Sequence, residues 1–187
     1  MGYVLALNLD ERADAAVRKI WRALAERGIN DLFDRIGLPP HISLAVYDDV
    51  DEEPLIAAVD AFCANTRGVR VTFAAIGVFP GAGALFLQPK VTPELIHLHA
   101  EYHRLTEGLG ICHAHYAPKN WVPHCTLGMP LSGTEISRAL AEIDELSTGW
   151  RPITAQVTTA ALMAFPDDLS GKPEIKTLYS GPLRPNP

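Results

Sequence analysis

Pro39-Pro40-His41-Ile42-Ser43-Leu44-Ala45-Val46-Tyr47 has a near twin at Val122-Pro123-His124-Cys125-Thr126-Leu127-Gly128. Each copy reads Pro, His, an apolar residue, a hydroxyl residue, Leu. The first copy is introduced by proline, is rich in apolar and β-branched residues and stops at Asp48-Asp49, so it is expected to be a strand, as is the second. On a strand, alternate side chains share a face. His41 and Ser43 then point one way and Ile42 and Leu44 the other; His124 and Thr126 share one face, Cys125 and Leu127 the opposite one. With seven histidines, one chance match to His-x-Ser/Thr-Leu is expected roughly 0.1 times, and two far less often. Two such strands side by side would bring two imidazoles and two hydroxyls together.

A chain of 187 residues with 48% hydrophobic and 20% charged residues is expected to fold as one compact domain, or as two small lobes sharing a core. The formal charge of −6 and pI near 5.6 argue against an extended nucleic-acid surface, which needs a field of lysine and arginine. Cys63, Cys112 and Cys125 form neither a disulfide framework nor a Cys-x-x-Cys spacing, which fits the cytoplasm. Gly2 to Leu9 is apolar without a basic leader and reads as a first strand, not a signal peptide. No apolar run approaches a membrane span.

Outward from the motifs, Asp10 to Glu26 carries Ala13, Val17, Ile20, Trp21 and Leu24 at helical spacing, with Gly28 as its stop. Glu52 to Asn65 repeats the pattern with Leu55, Ile56, Val59, Phe62 and Cys63. Val69 to Phe79 and Ala84 to Leu87 read as a hairpin around Pro80-Gly81-Ala82-Gly83. The order then partly recurs. Thr92 to Leu109 is expected to be a helix with Pro93 at its first position, a loop from Cys112 to Pro123 delivers the second motif, and Thr134 to Leu146 is a further helix. Strands are expected at Ile153 to Phe165 and Ile175 to Ser180, followed by a frayed tail over 181–187. The fold class expected is α+β: a duplicated, bilobal arrangement of mostly antiparallel sheet with helices outside and a central cleft, the lobes spanning about 1–90 and 91–180 with room for strand exchange.

In these respects the chain resembles the two-histidine phosphoesterase superfamily, in particular its 2′-5′ RNA ligase-like (LigT-like) branch. The likeness covers nearly the whole chain. It rests on the paired motifs about eighty residues apart, on Trp121-Val122-Pro123 before the second, and on Val78-Phe79-Pro80 and Leu85-Phe86-Leu87 between them. The resemblance implies action on 2′,3′-cyclic or related phosphodiesters without a cofactor or metal, and reversible 2′-5′ RNA ligation. It implies His41 and His124 as catalytic residues and Ser43 and Thr126 as phosphate-binding residues. The family often has a basic residue just after its second motif; here Gly128 and Met129 stand there.

The chemistry agrees with the residue types. Opening a cyclic phosphodiester with water needs a base and an acid on opposite sides of phosphorus, and histidine, with an unperturbed pKa of about 6.5, serves as either. Hydroxyls already in place answer the charge on the non-bridging oxygens. Substrate contacts are sought at Tyr47, on the His41 face by alternation, and at Tyr116, Lys119 and Trp121 in the loop before the second motif, where a ring could stack on a base and a cation meet phosphate. Arg104 and Arg151 are further sources of positive charge. The expected partner is a small nucleotide or an RNA 3′ end bearing a cyclic phosphate, in a role in RNA processing, with no membrane and the chain acting as a monomer. Two rivals stand beside this reading. One is a binding module that holds a nucleotide or RNA end without turnover. The other is a zinc protein using the histidines of residues 97–115, although the stripe through Leu98 and Tyr102 would leave His99 and His103 near solvent.

Overall fold

The computed structural model describes residues 1–147, 151–171 and 173–185. Its elements run β1 (Gly2–Leu9), α1 (Glu11–Glu26), α2 (Leu32–Ile36), β2 (His41–Val50), α3 (Glu52–Asn65), β3 (Val69–Phe79), β4 (Ala84–Pro89), α4 (Pro93–Leu105), β5 (Gly110–Cys112), a 3-10 turn (Ala114–Tyr116), β6 (Cys125–Gly128), α5 (Gly133–Ser147), β7 (Ile153–Phe165) and β8 (Lys176–Pro182). The named strands pair antiparallel, in the order β5-β2-β1-β7-β3-β4-β6, with β8 also on β7.

Long β7 is the hub of this sheet. One edge of it takes the whole of β1, Gly2 opposite Phe165 through Leu9 opposite Val157. The other edge takes β3 along residues 153–157 and β8 along residues 159–164. β2 and β6, which carry the two motifs, stand far apart in strand order yet touch one another. The sheet therefore curls, without closing into a barrel, so that its distant strands meet.

The helices pack on one face of it. Asp10 caps α1 by accepting from the Ala13 backbone N–H at 2.9 Å, and Ala13, Val17, Ile20, Trp21 and Leu24 turn inward as the helical spacing demands. Thr92 caps α4 in the same manner, with Pro93 inside the first turn. Leu5, Leu7, Ile42, Leu85, Leu87, Leu127 and Leu162 come from the sheet to meet them in one core.

Three expectations change. The helix projected over Thr92–Leu109 ends at Leu105, because the chain then turns and enters the short edge strand β5 beside β2. Residues 181–184, expected to fray, are tied down: 181 and 182 extend β8, the Leu183 N–H donates to Thr158 O, and the Arg184 N–H donates to Thr66 O, each at 2.8 Å. The last two residues of the projected tail lie outside the described residues. The third change concerns β2, where the register with β1 shifts between Ala45–Leu5 and Ser43–Ala6. Leu44 is the extra residue of a β-bulge, and the alternation of faces is reset there.

Candidate active site

Each candidate histidine is held by the residue two before it. His41 Nδ1 lies 2.7 Å from Pro39 O, and His124 Nδ1 lies 2.7 Å from Val122 O. A carbonyl only accepts, so both rings carry their proton on Nδ1 and present Nε2 with its lone pair free. Pro40 and Pro123 precede the two histidines. Proline fixes its own φ and holds the residue before it extended, which folds the upstream carbonyl back to the ring in both copies.

The motifs are brought against one another by contacts between their backbones and buried side chains. The Trp121 indole Nε1–H donates to Ser43 O at 3.0 Å, and the Trp21 indole of α1 donates to Thr126 O at 3.0 Å. The backbone of each hydroxyl residue is thus pinned by a tryptophan from outside its own strand. The buried Cys125 thiol also bonds the backbone of His41, while burial pushes that thiol up to about 12. His41, Ser43, His124 and Thr126 are all half-buried, reachable from solvent yet embedded.

Burial dominates the electrostatics. Desolvation lowers His41 to about 4, opposed by the Pro39 carbonyl and reinforced by repulsion from His124. Desolvation likewise lowers His124, against the pull of Val122 O. The His41–His124 repulsion places the two imidazoles within electrostatic reach of one another. His124 is boxed by aromatic rings: Phe79 meets it edge-on at 5.0 Å between centroids, and Phe86 at 5.3 Å. Phe86 lies over Gly77, where any Cβ would collide with its ring. Phe79 and Phe86 belong to the supporting sequence pieces but were not singled out as site residues; nothing in a local pattern shows a ring reaching across two strands.

The remaining candidates divide. Tyr116 is half-buried, and its phenol shares a hydrogen bond with the Ser43 side chain. Lys119 is exposed in the turn after the 3-10 segment. Tyr47 is not in the cleft. It is 1% exposed, with its hydroxyl 3.1 Å from that of Tyr102 and bonded to Thr106 in the core. The bulge at Leu44 is the reason, since it moves Tyr47 to the face of Ile42. Trp121 is not an open stacking platform either: it is buried, with its ring parallel to His99 at 3.9 Å. Arg104 pairs with Glu101 on α4, and Arg151 is exposed.

The histidines of residues 97–115 do not gather into one cluster. His99, expected near solvent, is 2% exposed; its Nε2 lies 3.1 Å from both Leu44 O and His103 Nε2. It faces inward because Trp121 and Leu44 occupy the space beside α4. His97 and His115 are exposed, and His113 reaches Asp48. Among the described residues no three His, Cys, Asp or Glu side chains group as ligands for a metal ion. No helix among them is long and apolar enough to cross a membrane.

Comparison with known proteins places this geometry. The 2′-5′ RNA ligase superfamily model matches residues 9–168. Comparison with curated proteins returns no match. Among solved structures, E. coli LigT complexed with 3′-AMP is similar with a TM-score of 0.63 at 20% identity, over 97% of both chains. LigT complexed with NADP+ gives 0.59 at 17% identity, over 97% of this chain and 96% of that one. TT0787 of Thermus thermophilus gives 0.63 at 18% identity, over 99% of both chains. At these identities the likeness establishes the fold.

Proposed function

The chain belongs to the 2′-5′ RNA ligase superfamily, and from that premise we propose that it hydrolyses 2′,3′-cyclic phosphodiesters of small nucleotides or RNA 3′ ends. Membership of the family supports phosphodiester processing. The observation that carries it is the matched pair of imidazoles, each locked by an upstream carbonyl with Nε2 free, on strands that touch.

In the reaction, one neutral histidine takes a proton from water through Nε2 as the water oxygen bonds to phosphorus. The opposite histidine enters as imidazolium. Its Nε2–H gives a proton to the ribose oxygen as the bond from that oxygen to phosphorus breaks, leaving a phosphate monoester and a free hydroxyl. Each transfer is worth roughly 10²–10⁴-fold in rate. Ser43 and Thr126 donate their hydroxyl hydrogens to the non-bridging oxygens, where charge is concentrated. Tyr116 shares a hydrogen bond with Ser43; with the Tyr116 O–H as its donor, the Ser43 hydrogen is left for the phosphoryl oxygen. Turning the substrate end for end exchanges the two histidines. With the 5′-hydroxyl of a second strand in place of water and the 3′ oxygen as the protonated leaving group, the same steps run as 2′-5′ ligation, and their reversal as its cleavage. No step calls on a metal ion.

LigT has been solved with 3′-AMP, NADP+ and ATP, and ligands of that size suit a site for small nucleotides. The test is turnover of nucleoside 2′,3′-cyclic monophosphates in excess EDTA. Release of a 2′- or 3′-monophosphate by the wild type, lost in His41→Ala and in His124→Ala with folding retained, is the expected result. Folded wild-type protein that binds a nucleoside monophosphate and hydrolyses neither cyclic nucleotides nor RNA ends would make the site a receptor instead.

A further inference from the structure

Asn8 lies in β1 directly opposite His41 of β2, and on its other side opposite Thr159 of β7. Residues directly opposite in an antiparallel pair share a face, so Asn8 stands on the His41 face. Its Oδ1 is closed off from solvent and has no hydrogen-bond partner. Its side chain is bonded to nothing among the described residues. Buried polar atoms in folded proteins are paired with few exceptions, and an exception calls for a reason. Packing is not that reason: leucine, of the same branched outline though larger, has no polar atom to leave unsatisfied, so the carboxamide is kept for its other end, the Nδ2–H donor.

The other motif has a counterpart. Phe86 pairs with Thr126 and Leu87 with Cys125, so the next residue, Gln88, stands abreast of His124 on the face of Phe86 and Thr126. Each histidine therefore has a carboxamide on the neighbouring strand. Among the described residues no lysine or arginine shifts either histidine, and the chain carries a net charge of −6. A phosphodiester anion arriving there offers acceptors and needs donors.

Resting on the phosphoesterase reading above, we propose that Asn8 is a substrate contact of this site, its carboxamide Nδ2–H donating to a phosphoryl oxygen beside His41. The amide is a neutral donor where a basic side chain is absent. No acceptor among the described residues holds its Nδ2–H in the free protein, so that donor is left to the anion.

The experiment compares wild type with Asn8→Leu and Asn8→Asp in three readouts: thermal melting, hydrolysis of 2′,3′-cyclic AMP in EDTA, and calorimetric binding of 3′-AMP. Asn8→Leu is expected to melt at or above wild type, because it removes an unsatisfied polar atom, and to lose roughly 10–100-fold in kcat/KM and to bind 3′-AMP more weakly. Asn8→Asp, an acceptor bearing negative charge, is expected to be worse than Asn8→Leu in both activity and binding. The proposal is overturned if Asn8→Leu stays within twofold of wild type in turnover and binding. It is also overturned if Asn8→Leu melts well below wild type, or if Asn8→Asp equals or exceeds Asn8→Leu. A wild type that binds 3′-AMP without turnover, with binding weakened by Asn8→Leu, would sink the hydrolase reading and leave the contact standing. A wild type that does neither overturns both.

Discussion

His99→Gln tests how the buried imidazole behind the first motif responds to acid. His99 is 2% exposed, and burial first, then repulsion from His103, lowers it to about 4 against the pull of the Leu44 and Tyr116 carbonyls. The unfolded chain holds histidine near 6.5, so between about 4 and 6.5 the unfolded state binds the extra proton. Stability therefore rises with pH across that window and falls on acidification. The difference of about 2.5 pKa units corresponds to roughly 3 kcal/mol from His99 alone, at about 1.4 kcal/mol per unit. That is a large share of the 5–15 kcal/mol typical of a folded domain.

Glutamine keeps a polar end but cannot take the proton. Urea unfolding of wild type and His99→Gln at pH 7, 6, 5 and 4.5 measures the effect. The variant is expected to be less stable at pH 7, through lost bonding to Leu44 O and lost stacking on Trp121. Its deficit should shrink by about 2–3 kcal/mol toward pH 4.5. A deficit that stays constant from pH 7 to 4.5 would refute the reasoning.

Because kcat/KM requires one histidine neutral and one protonated in the free enzyme, and both are lowered by burial, its bell should peak below pH 6.5; a maximum at pH 7.5 or above would count against the acid–base pair. Tyr47→Phe should cost about 1 kcal/mol through the lost core hydroxyl, with KM for cyclic nucleotides unchanged; a severalfold rise in KM would return Tyr47 to the cleft. Gly77→Val would force Phe86 off its position and disturb His124, so kcat should fall at least tenfold while secondary structure by circular dichroism persists. Unaltered kcat in that variant would show that the aromatic box is not needed.

The parts legible in the sequence were those written as local patterns. Alternation gave the inward Ile42 and Leu127, helical spacing gave the buried face of α1, and Pro80 to Gly83 marked the hairpin. The repeated Pro-His-x-Ser/Thr-Leu marked the candidate site, since the motif holds both the side chains and the proline beside the carbonyl that each ring bonds. What escaped depends on register. The extra residue at Leu44 has no signature in composition, yet it sends Tyr47 to the core. Trp21 looked like an ordinary core residue on α1 because the partner of its indole N–H, Thr126 O, lies 105 positions away in the chain. Asn8 gave no signal at all, since only the pairing of β1 with β2 sets it opposite His41. The role of β7 as the hub was equally hidden, because the pairing of one strand with β1, β3 and β8 is a property of the closed chain.

The most direct measurement of the central claim is hydrolysis of the four nucleoside 2′,3′-cyclic monophosphates in excess EDTA by wild type, His41→Ala and His124→Ala, each shown to be folded. The prediction is turnover by wild type to a 2′- or 3′-monophosphate and a loss of at least 10³-fold in each variant, the combined scale of a lost proton transfer and its misplaced partner. Near-normal turnover by either variant would contradict it.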